Sequence, residues 1–393
     1  MSGPLNGVRI VDLTTVLMGP FATQLLADMG ADVIKIEAPG GDIARDVGPR
    51  RNPGMSGSFL HANRNKRSVL LDLKLPAARS ALLRLVAGAD VLVSNLRPQS
   101  MKRLGLAYED VTAVKADLVY AGLYGFGEDG PYAGKPAYDD LIQGASALPA
   151  MLHAAGADAP RYVPSAMVDR IVGMSAAHAI TAALFHRQRT GEGQAIEIPM
   201  FETMAQFVLG DHLAGHTFDP PVAPIGYKRL LSPNRKPYAT RDGHICVLFY
   251  ADRHWRAFFD LIGQPDFLQR NERFSTIGGR TEHIDELYAM VAEALTERST
   301  AEWLAAFERA DVPAMPMHTL ASLVEDPHLA AVGFFERQEH PTEGSVRTMR
   351  SPTRWSRSKH GPNRPAPTLG QHTEEALREA GYDGAELDRL LRP

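Results

Sequence analysis

The sequence predicts an α/β fold: a large domain built on a mostly parallel sheet with helices on both faces, and a smaller α+β domain. Three observations lead there. Short apolar runs alternate with helical stretches from Val8 to Tyr124, as strands alternate with crossover helices. Pro220, Pro221, Pro224 and Pro233 then break the chain and mark a linker. At 393 residues the chain is also longer than one hydrophobic core usually grows.

The elements follow in order. VRIVDL (Val8 to Leu13) reads as the first strand, and Gly19-Pro20 punctuates. Pro20 suits the first turn of a helix, where its missing donor costs little. FATQLLADMG then reads as a helix ending on Gly30, and DVIKIE (Asp32 to Glu37) as the second strand. The pattern repeats as strand Ser68 to Leu73, helix Pro76 to Ala87, strand Asp90 to Asn95 and strand Leu118 to Tyr124. A long Ala-rich helix spans Val168 to about Arg189, and a strand runs from Gln194 to Met200. Past the linker, KPYATRDGHICVLFY reads as a hairpin turning at Asp242-Gly243. Three helices come next, His254 to Ile262, Glu282 to Thr296 and Ala301 to Ala310. Ser299 with Glu302 three residues on is a capping box for the last. A second Pro-rich stretch, Gly361 to Pro367, precedes a helical tail.

Composition excludes several function classes. With 42 basic against 46 acidic residues there is no basic excess for nucleic acid or an anionic membrane. Cys246 is the only cysteine, so no intrachain disulfide forms and a reducing compartment fits. The opening MSGPLNGVRIVDL lacks a signal pattern, and no apolar run approaches the ~20 residues of a membrane helix. The expectation is a soluble cytoplasmic protein with neither a membrane nor a nucleic-acid partner. The loop after the first strand, TTVLMGP, lacks the spaced glycines of a dinucleotide site. There is no Walker loop, HExxH or CxxC, and the 14 histidines show no ligand spacing, so no metal is expected. Gly173-Met174-Ser175-Ala176 resembles half of a nucleophile elbow, but it lies inside a helix and is followed by Ala177, which reads as helix packing.

Positive signal is concentrated in three places. Asp169 in SAMVDRIVG sits where the long helix begins. An acidic residue there serves as a cap or dipole partner, and the same field favours the ionised carboxylate that a nucleophile requires. Gly173, one turn on, removes a side chain where a ligand could approach. GLYGFGEDGPY (Gly122 to Tyr132) follows a strand, at the end of the sheet where open α/β folds bind ligands. Its glycines suit either close backbone approach to a ligand or a plain turn. Arg64, Lys66, Arg67 and Lys74 cluster in ANRNKRSVLLDLK, as a solvated face or as phosphate partners.

Taken together, these segments resemble the family III CoA-transferases, the CaiB/BaiF group. GVRIVDLTTVLMGPFATQLLADMGADVIKIEAPGGD is similar to the family's N-terminal signature. NRNKRSVLLDLK, GFGEDGPY, PSAMVDRIVG, HRQRTGEGQAIEI, PYATRDGHICV and PTLGQHTEEAL follow in the family's order, from about Gly7 to about Leu390. The resemblance implies a Rossmann-like large domain whose parallel sheet is formed by both chain ends. Residues 1–215 and 326–393 would form it, residues 216–325 the small α+β domain, and two chains an interlocked homodimer.

The resemblance also implies site residues. The nucleophilic aspartate falls on Asp169. Coenzyme A contacts fall on Val16 and Leu17, then on Leu71, Asp72, Leu73 and Lys74. They continue at Asn95, Leu96, Arg97 and Arg103, and end at Lys135, Pro136, Ala137 and Tyr138. The loop with Gly125, Phe126, Gly127 and Gly130 is the candidate source of oxyanion donors. Many relatives carry a basic residue directly after KIE; Ala38 stands here, a departure that bears on one implied adenine or phosphate contact.

The implied function is transfer of CoA from an acyl-CoA to a free carboxylic acid, with CoA as co-substrate and no other cofactor. Racemases of the same fold place a histidine base before the aspartate at Asp139, where this chain has Tyr138. A phenol of ordinary pKa near ~10 is a poor base for an α-proton at neutral pH. Transferase is favoured over racemase, and a non-catalytic acyl-CoA-binding protein is the third reading. The glycine-rich small-domain loop associated with oxalate is missing, and the region reads GYKRLLSPNRKPY. Lys228, Arg229, Arg235 and Lys236 there suggest a dicarboxylate acceptor or a solvated linker.

Overall fold

The computed structural model describes residues 3–359 and 363–391. Gly361 and Pro362, which open the second Pro-rich stretch, lie outside the described residues, as do Met1 and Ser2. The chain forms two compact units, residues 1–146, 164–206 and 330–393 in one and residues 147–163 and 207–329 in the other. Segment 147–163 therefore belongs with the smaller unit, not with the large domain as expected from sequence.

The larger unit is built on six parallel strands: β1 (Arg9–Asp12), β2 (Asp32–Glu37), β3 (Lys66–Leu70), β4 (Val91–Ser94), β5 (Val119–Tyr124) and β6 (Ala195–Pro199). Their order is β3-β2-β1-β4-β5-β6, which reverses direction between β1 and β4. All pairings are parallel. β3 starts two residues before its expected position, because Lys66 and Arg67 are buried strand residues rather than a solvated cluster. Lys66 Nζ reaches Asp12 at 3.1 Å and Arg67 reaches Asp32 at 2.6 Å, so their charges are matched inside.

Helices α1 (Met18–Asp28), α2 (Pro76–Ala87), α3 (Pro98–Leu104), α4 (Asp139–Ala145) and α5 (Met167–Thr190) connect and cover the strands. α2 opens on Pro76 and buries Ala78, Ala81, Leu82 and Leu85, the spacing of one helical face. α5 ends at Gly191, whose φ of 79° lies in the left-handed region. By length and composition α5 alone among the described helices could cross a membrane, contrary to the sequence reading. Val172, Gly173, Ala176, Ala177 and Ile180 on it are buried, against α1, β5 and β6, while Met174 and Phe185 are exposed.

Gly173 sets how closely α5 approaches α1. A Cβ there would lie 2.9 Å from both the Met18 carbonyl oxygen and Phe21 Cδ1. The space is filled by a helix, so the glycine serves packing and not ligand approach.

The smaller unit contains an antiparallel sheet of β7 (Tyr238–Ala239), β8 (His244–Val247) and β9 (Ala314–Pro316). The three-residue β9 was not read from sequence. Helices α6 (Asp252–Leu261), α7 (Ile284–Leu295) and α8 (Thr300–Arg309) pack Trp255, Phe258, Phe259, Trp303 and Phe307 into its core. The Ser299 hydroxyl accepts from the Glu302 amide at 3.2 Å and the Glu302 carboxylate from the Ser299 amide at 2.8 Å, completing the expected capping box.

The chain then returns to the larger unit with a hairpin, β10 (Phe335–His340) and β11 (Gly344–Met349), and helix α9 (Thr373–Glu379). This corrects the expected sheet: all six parallel strands precede Met200, and the C-terminal end adds none. That end instead covers the open edge of β3. The His372 amide donates to the Ser68 carbonyl at 2.9 Å, and the Leu70 amide donates to Thr373 Oγ1 at 2.9 Å. A covered edge cannot recruit another strand.

Gly173→Ala should lower Tm by several degrees, corresponding to ~1–3 kcal/mol of overpacking. Gly144→Ala, where a Cβ meets nothing within 4 Å, should leave Tm unchanged or raise it. Equal effects of the two, read by thermal denaturation, would refute the close-packing role of Gly173.

Candidate active site

Where strand order reverses in an open parallel sheet, the loops leaving the strands' C-terminal ends diverge and leave a crevice. Here that point lies between β1 and β4. A cavity of about 280 Å³ opens there, lined by Thr15 and Val16 after β1, Asn95 and Arg97 after β4, and Gly125 and Phe126 after β5. Lys135, Pro136, Ala137 and Tyr138 close its far side. Nine of the positions picked out from sequence thus share one cavity: Val16, Asn95, Arg97, Gly125, Phe126 and Lys135 to Tyr138.

The other positions do not line it. Leu17 precedes α1 as its N-cap and is half-buried. Leu71 is buried in the core with Leu82 and Leu377, and Leu73 and Leu96 pack on the same cluster. Asp72 accepts from the Lys74 amide at 3.0 Å in an exposed turn. Arg103 donates to Ser100 Oγ on α3.

The glycine loop is committed in part. The Gly127 amide donates to Glu202 Oε1 at 3.0 Å and the Glu128 amide to Glu197 Oε1 at 2.8 Å. The Gly130 amide points at the Gly127 carbonyl, 3.4 Å away. Gly127 and Gly130 therefore hold internal acceptors in this structure, the first a carboxylate, which attracts an amide strongly, and the second a backbone carbonyl. Lys228 pairs with Glu282, and Arg229 donates to the Tyr288 hydroxyl. Arg235 and Lys236 are exposed in the same, smaller unit.

Asp169 occupies the third position of α5, whose N-cap residue is Ala166. The N-cap residue makes no side-chain capping bond, and the Asp169 backbone amide donates to Asp139 Oδ1 at 2.9 Å. Asp139, the first residue of α4, adjoins Tyr138 at the cavity wall and also accepts from Gln143 Nε2 at 2.7 Å. Burial, with the negative charge of Asp139 second, pushes the Asp169 carboxyl up to about 7, while Arg170 pulls the other way. The helix start does not outweigh these two. The sequence reading missed Asp139 as a partner, since contact across 30 residues leaves no local signal. Among the described residues no group of three His, Cys, Asp or Glu is placed to hold a metal ion.

The titration has a consequence for rate and for stability. If Asp169 must be ionised, activity should rise as pH passes through about 7. Asp139→Asn keeps an oxygen for the Asp169 amide but removes the charge, so the rising limb should move to lower pH. The folded state holds the Asp169 proton more tightly than the unfolded chain, so this group's destabilising effect grows as pH rises from the ordinary aspartate value of 3.8 toward 7. Asp169→Asn should therefore raise Tm above pH 7 and leave it unchanged near pH 4, as measured by calorimetry across that range.

Residues 5–373 match CoA-transferase family III. The chain is 32% identical over 400 residues to the succinyl-CoA:glutarate CoA-transferase of Homo sapiens, across 99% of this chain and 89% of that one. It is 32% identical over 396 residues to the succinyl-CoA:mesaconate CoA-transferase of Haloarcula marismortui, across 97% of each. A crystal structure of a CAIB/BAIF family protein from Brucella suis superposes with a TM-score of 0.80 at 30% identity, covering 97% of this chain and 100% of that one. A parallel sheet with a cavity at its reversal point and a match along nearly the whole chain agree: this protein belongs to CoA-transferase family III, the enzymes that move coenzyme A between carboxylic acids.

Proposed function

We propose that the enzyme moves CoA from an acyl-CoA thioester to a small dicarboxylate through covalent intermediates on Asp169. The observation that carries this is the half-buried Asp169, whose backbone amide donates to Asp139, the residue next in the chain to Tyr138 on the wall of the cavity at the sheet's reversal point. Asp169 attacks the thioester carbonyl, forming a mixed anhydride and releasing CoA thiolate. The thiolate returns to the aspartyl carbonyl, giving an aspartyl-CoA thioester and freeing the donor acid. The acceptor carboxylate attacks that thioester, and the thiolate then takes the new acyl group, restoring the aspartate. Gly125 and Phe126, the part of the glycine loop that lines the cavity, are the segment for stabilising the developing oxyanion.

A cavity of about 280 Å³ is small beside the roughly 300–1,000 Å³ of drug-sized sites. It suits the slender thiol end of CoA, with the nucleotide over the surface near Arg97 and Lys135. Lys135 Nζ now rests over the Tyr132 ring at 4.1 Å and is available to a phosphate. Arg170 supports a dicarboxylate. It follows Asp169 directly, its positive charge favours the ionised Asp169, and its guanidinium lies 4.4 Å from the Phe21 ring centre. The interlocked homodimer and the cytoplasmic location stay part of this proposal, the latter supported by the lone cysteine.

Asp169→Ala should abolish transfer in a folded protein. With succinyl-CoA and glutarate or another dicarboxylate, Arg170→Gln should raise KM for the acid by about tenfold, the loss of one charge-assisted contact. The same change should spare monocarboxylates. Arg97→Ala and Lys135→Ala should raise KM for acyl-CoA more than they lower kcat. A branched acyl-CoA turned over in deuterium oxide should gain no α-deuterium, since every bond changes at the carbonyl. Enzyme-dependent α-deuteration without exchange into added acids would instead establish a racemase.

A further inference from the structure

The loop leaving β1 is held by side chains at five successive main-chain atoms. The Thr14 amide donates to Asp12 Oδ1 at 2.8 Å, and the Thr14 carbonyl accepts from Lys35 Nζ at 2.7 Å. Thr15 is bracketed by Asn95, whose Oδ1 accepts from its amide at 3.1 Å and whose Nδ2 donates to its carbonyl at 2.9 Å. The Val16 amide donates to Asp42 Oδ1 at 3.0 Å. Asp42 is fixed in turn: Lys35 Nζ lies 2.8 Å from its Oδ2, with both side chains fully buried, and its own amide donates to Glu37 at 3.1 Å.

The result is a β-branched residue in an unfavourable conformation. Val16 has φ 71°, in the left-handed region where the Cβ crowds the carbonyl and where valine rarely stays without outside restraint. It lines the cavity. Neither Lys35 nor Asp42 does, so neither touches the substrate there. Such strain persists only where the surroundings over-determine it, and it concentrates at ligand clamps.

We infer that the buried Lys35–Asp42 pair positions the coenzyme A pocket by holding Val16 left-handed before substrate arrives. The two are positioning residues, and Asn95 acts with them through Thr15. A preset loop spares binding the cost of ordering it. The inference rests on the cavity being the CoA site.

The test compares two double variants that both lose the ion pair and differ in one acceptor atom. Lys35→Met/Asp42→Asn keeps an oxygen for the Val16 amide; Lys35→Met/Asp42→Leu does not. Exchanging a buried pair for neutral groups is often tolerated in folding. Calorimetric titration with free CoA should give a Kd about tenfold weaker for the Leu pair than for the Asn pair. With Val16→Gly added to both, the gap should fall below about threefold, since glycine adopts the left-handed region unaided. A purely structural pair would lower Tm and leave no gap that depends on position 16. Equal Kd values for the two pairs, or a gap undiminished by Val16→Gly, would overturn the inference. Failure of the wild type to bind CoA would instead remove the CoA assignment of the cavity. If the Leu pair does not fold, Lys35→Met/Asp42→Ala is read in the same way.

Discussion

Charges buried under the parallel sheet hold the rest of the larger unit in place. Asp12, Lys35 and Lys66 are each 1% exposed or less, and an unpaired ion at such a site would cost several kcal/mol. Each has several partners. Lys66 Nζ donates to Asp12, to Asn63 at 2.9 Å and to the Pro20 carbonyl at 2.8 Å; the Thr23 hydroxyl donates to Asp12 at 2.6 Å. Burial still pulls the Lys66 ammonium down to about 8, against the attraction of Asp12. This cluster ties β1 and β3 to the first turns of α1. α1 meets α5 at Gly173, and α5 carries Asp169 one turn earlier. The position of Asp169 therefore traces back to charges buried elsewhere in the larger unit.

Asp169 is placed by a group that also opposes its charge. Asp139 holds the Asp169 amide and so orients the start of α5, yet its carboxylate, after burial, raises the Asp169 pKa. A carboxyl that titrates near neutrality is a stronger nucleophile when ionised than one titrating at 4, because basicity and nucleophilicity rise together. The same basicity makes such a carboxylate a poorer leaving group from an anhydride. One residue, Asp139, thus affects both the geometry and the reactivity of its neighbour.

The C-terminal segment shows a different economy of the fold. A parallel sheet has open edges, and β3 would expose one. The chain covers it not with a strand but with residues 370–373, whose amides and side chains meet Ser68 and Leu70. α9 then places Ala376 and Leu377 in the core beside Leu71 and Leu82. The tail is thereby integral to the larger unit although it contributes no strand to its main sheet.

Local pattern was enough to place most elements. The bounds of β2 and α2 follow from apolar runs and from Pro76, and those of α5 from a long Ala-rich stretch closed by Gly191. The capping box at Ser299 and Glu302 is likewise a short-range device, complete within four residues. The sequence order of motifs identified the family and pointed to Asp169. What it left out depends on contacts far apart in the chain. Lys66 and Arg67 look like a solvated cluster until Asp12 and Asp32 neutralise them inside the sheet. Gly173 looks like an opening for a ligand until α1 fills the space. The glycine loop looks free until Glu197 and Glu202 take two of its amides. The left-handed Val16 and the Asp139–Asp169 contact have no local signature at all, since both are imposed by partners that only the tertiary fold brings near.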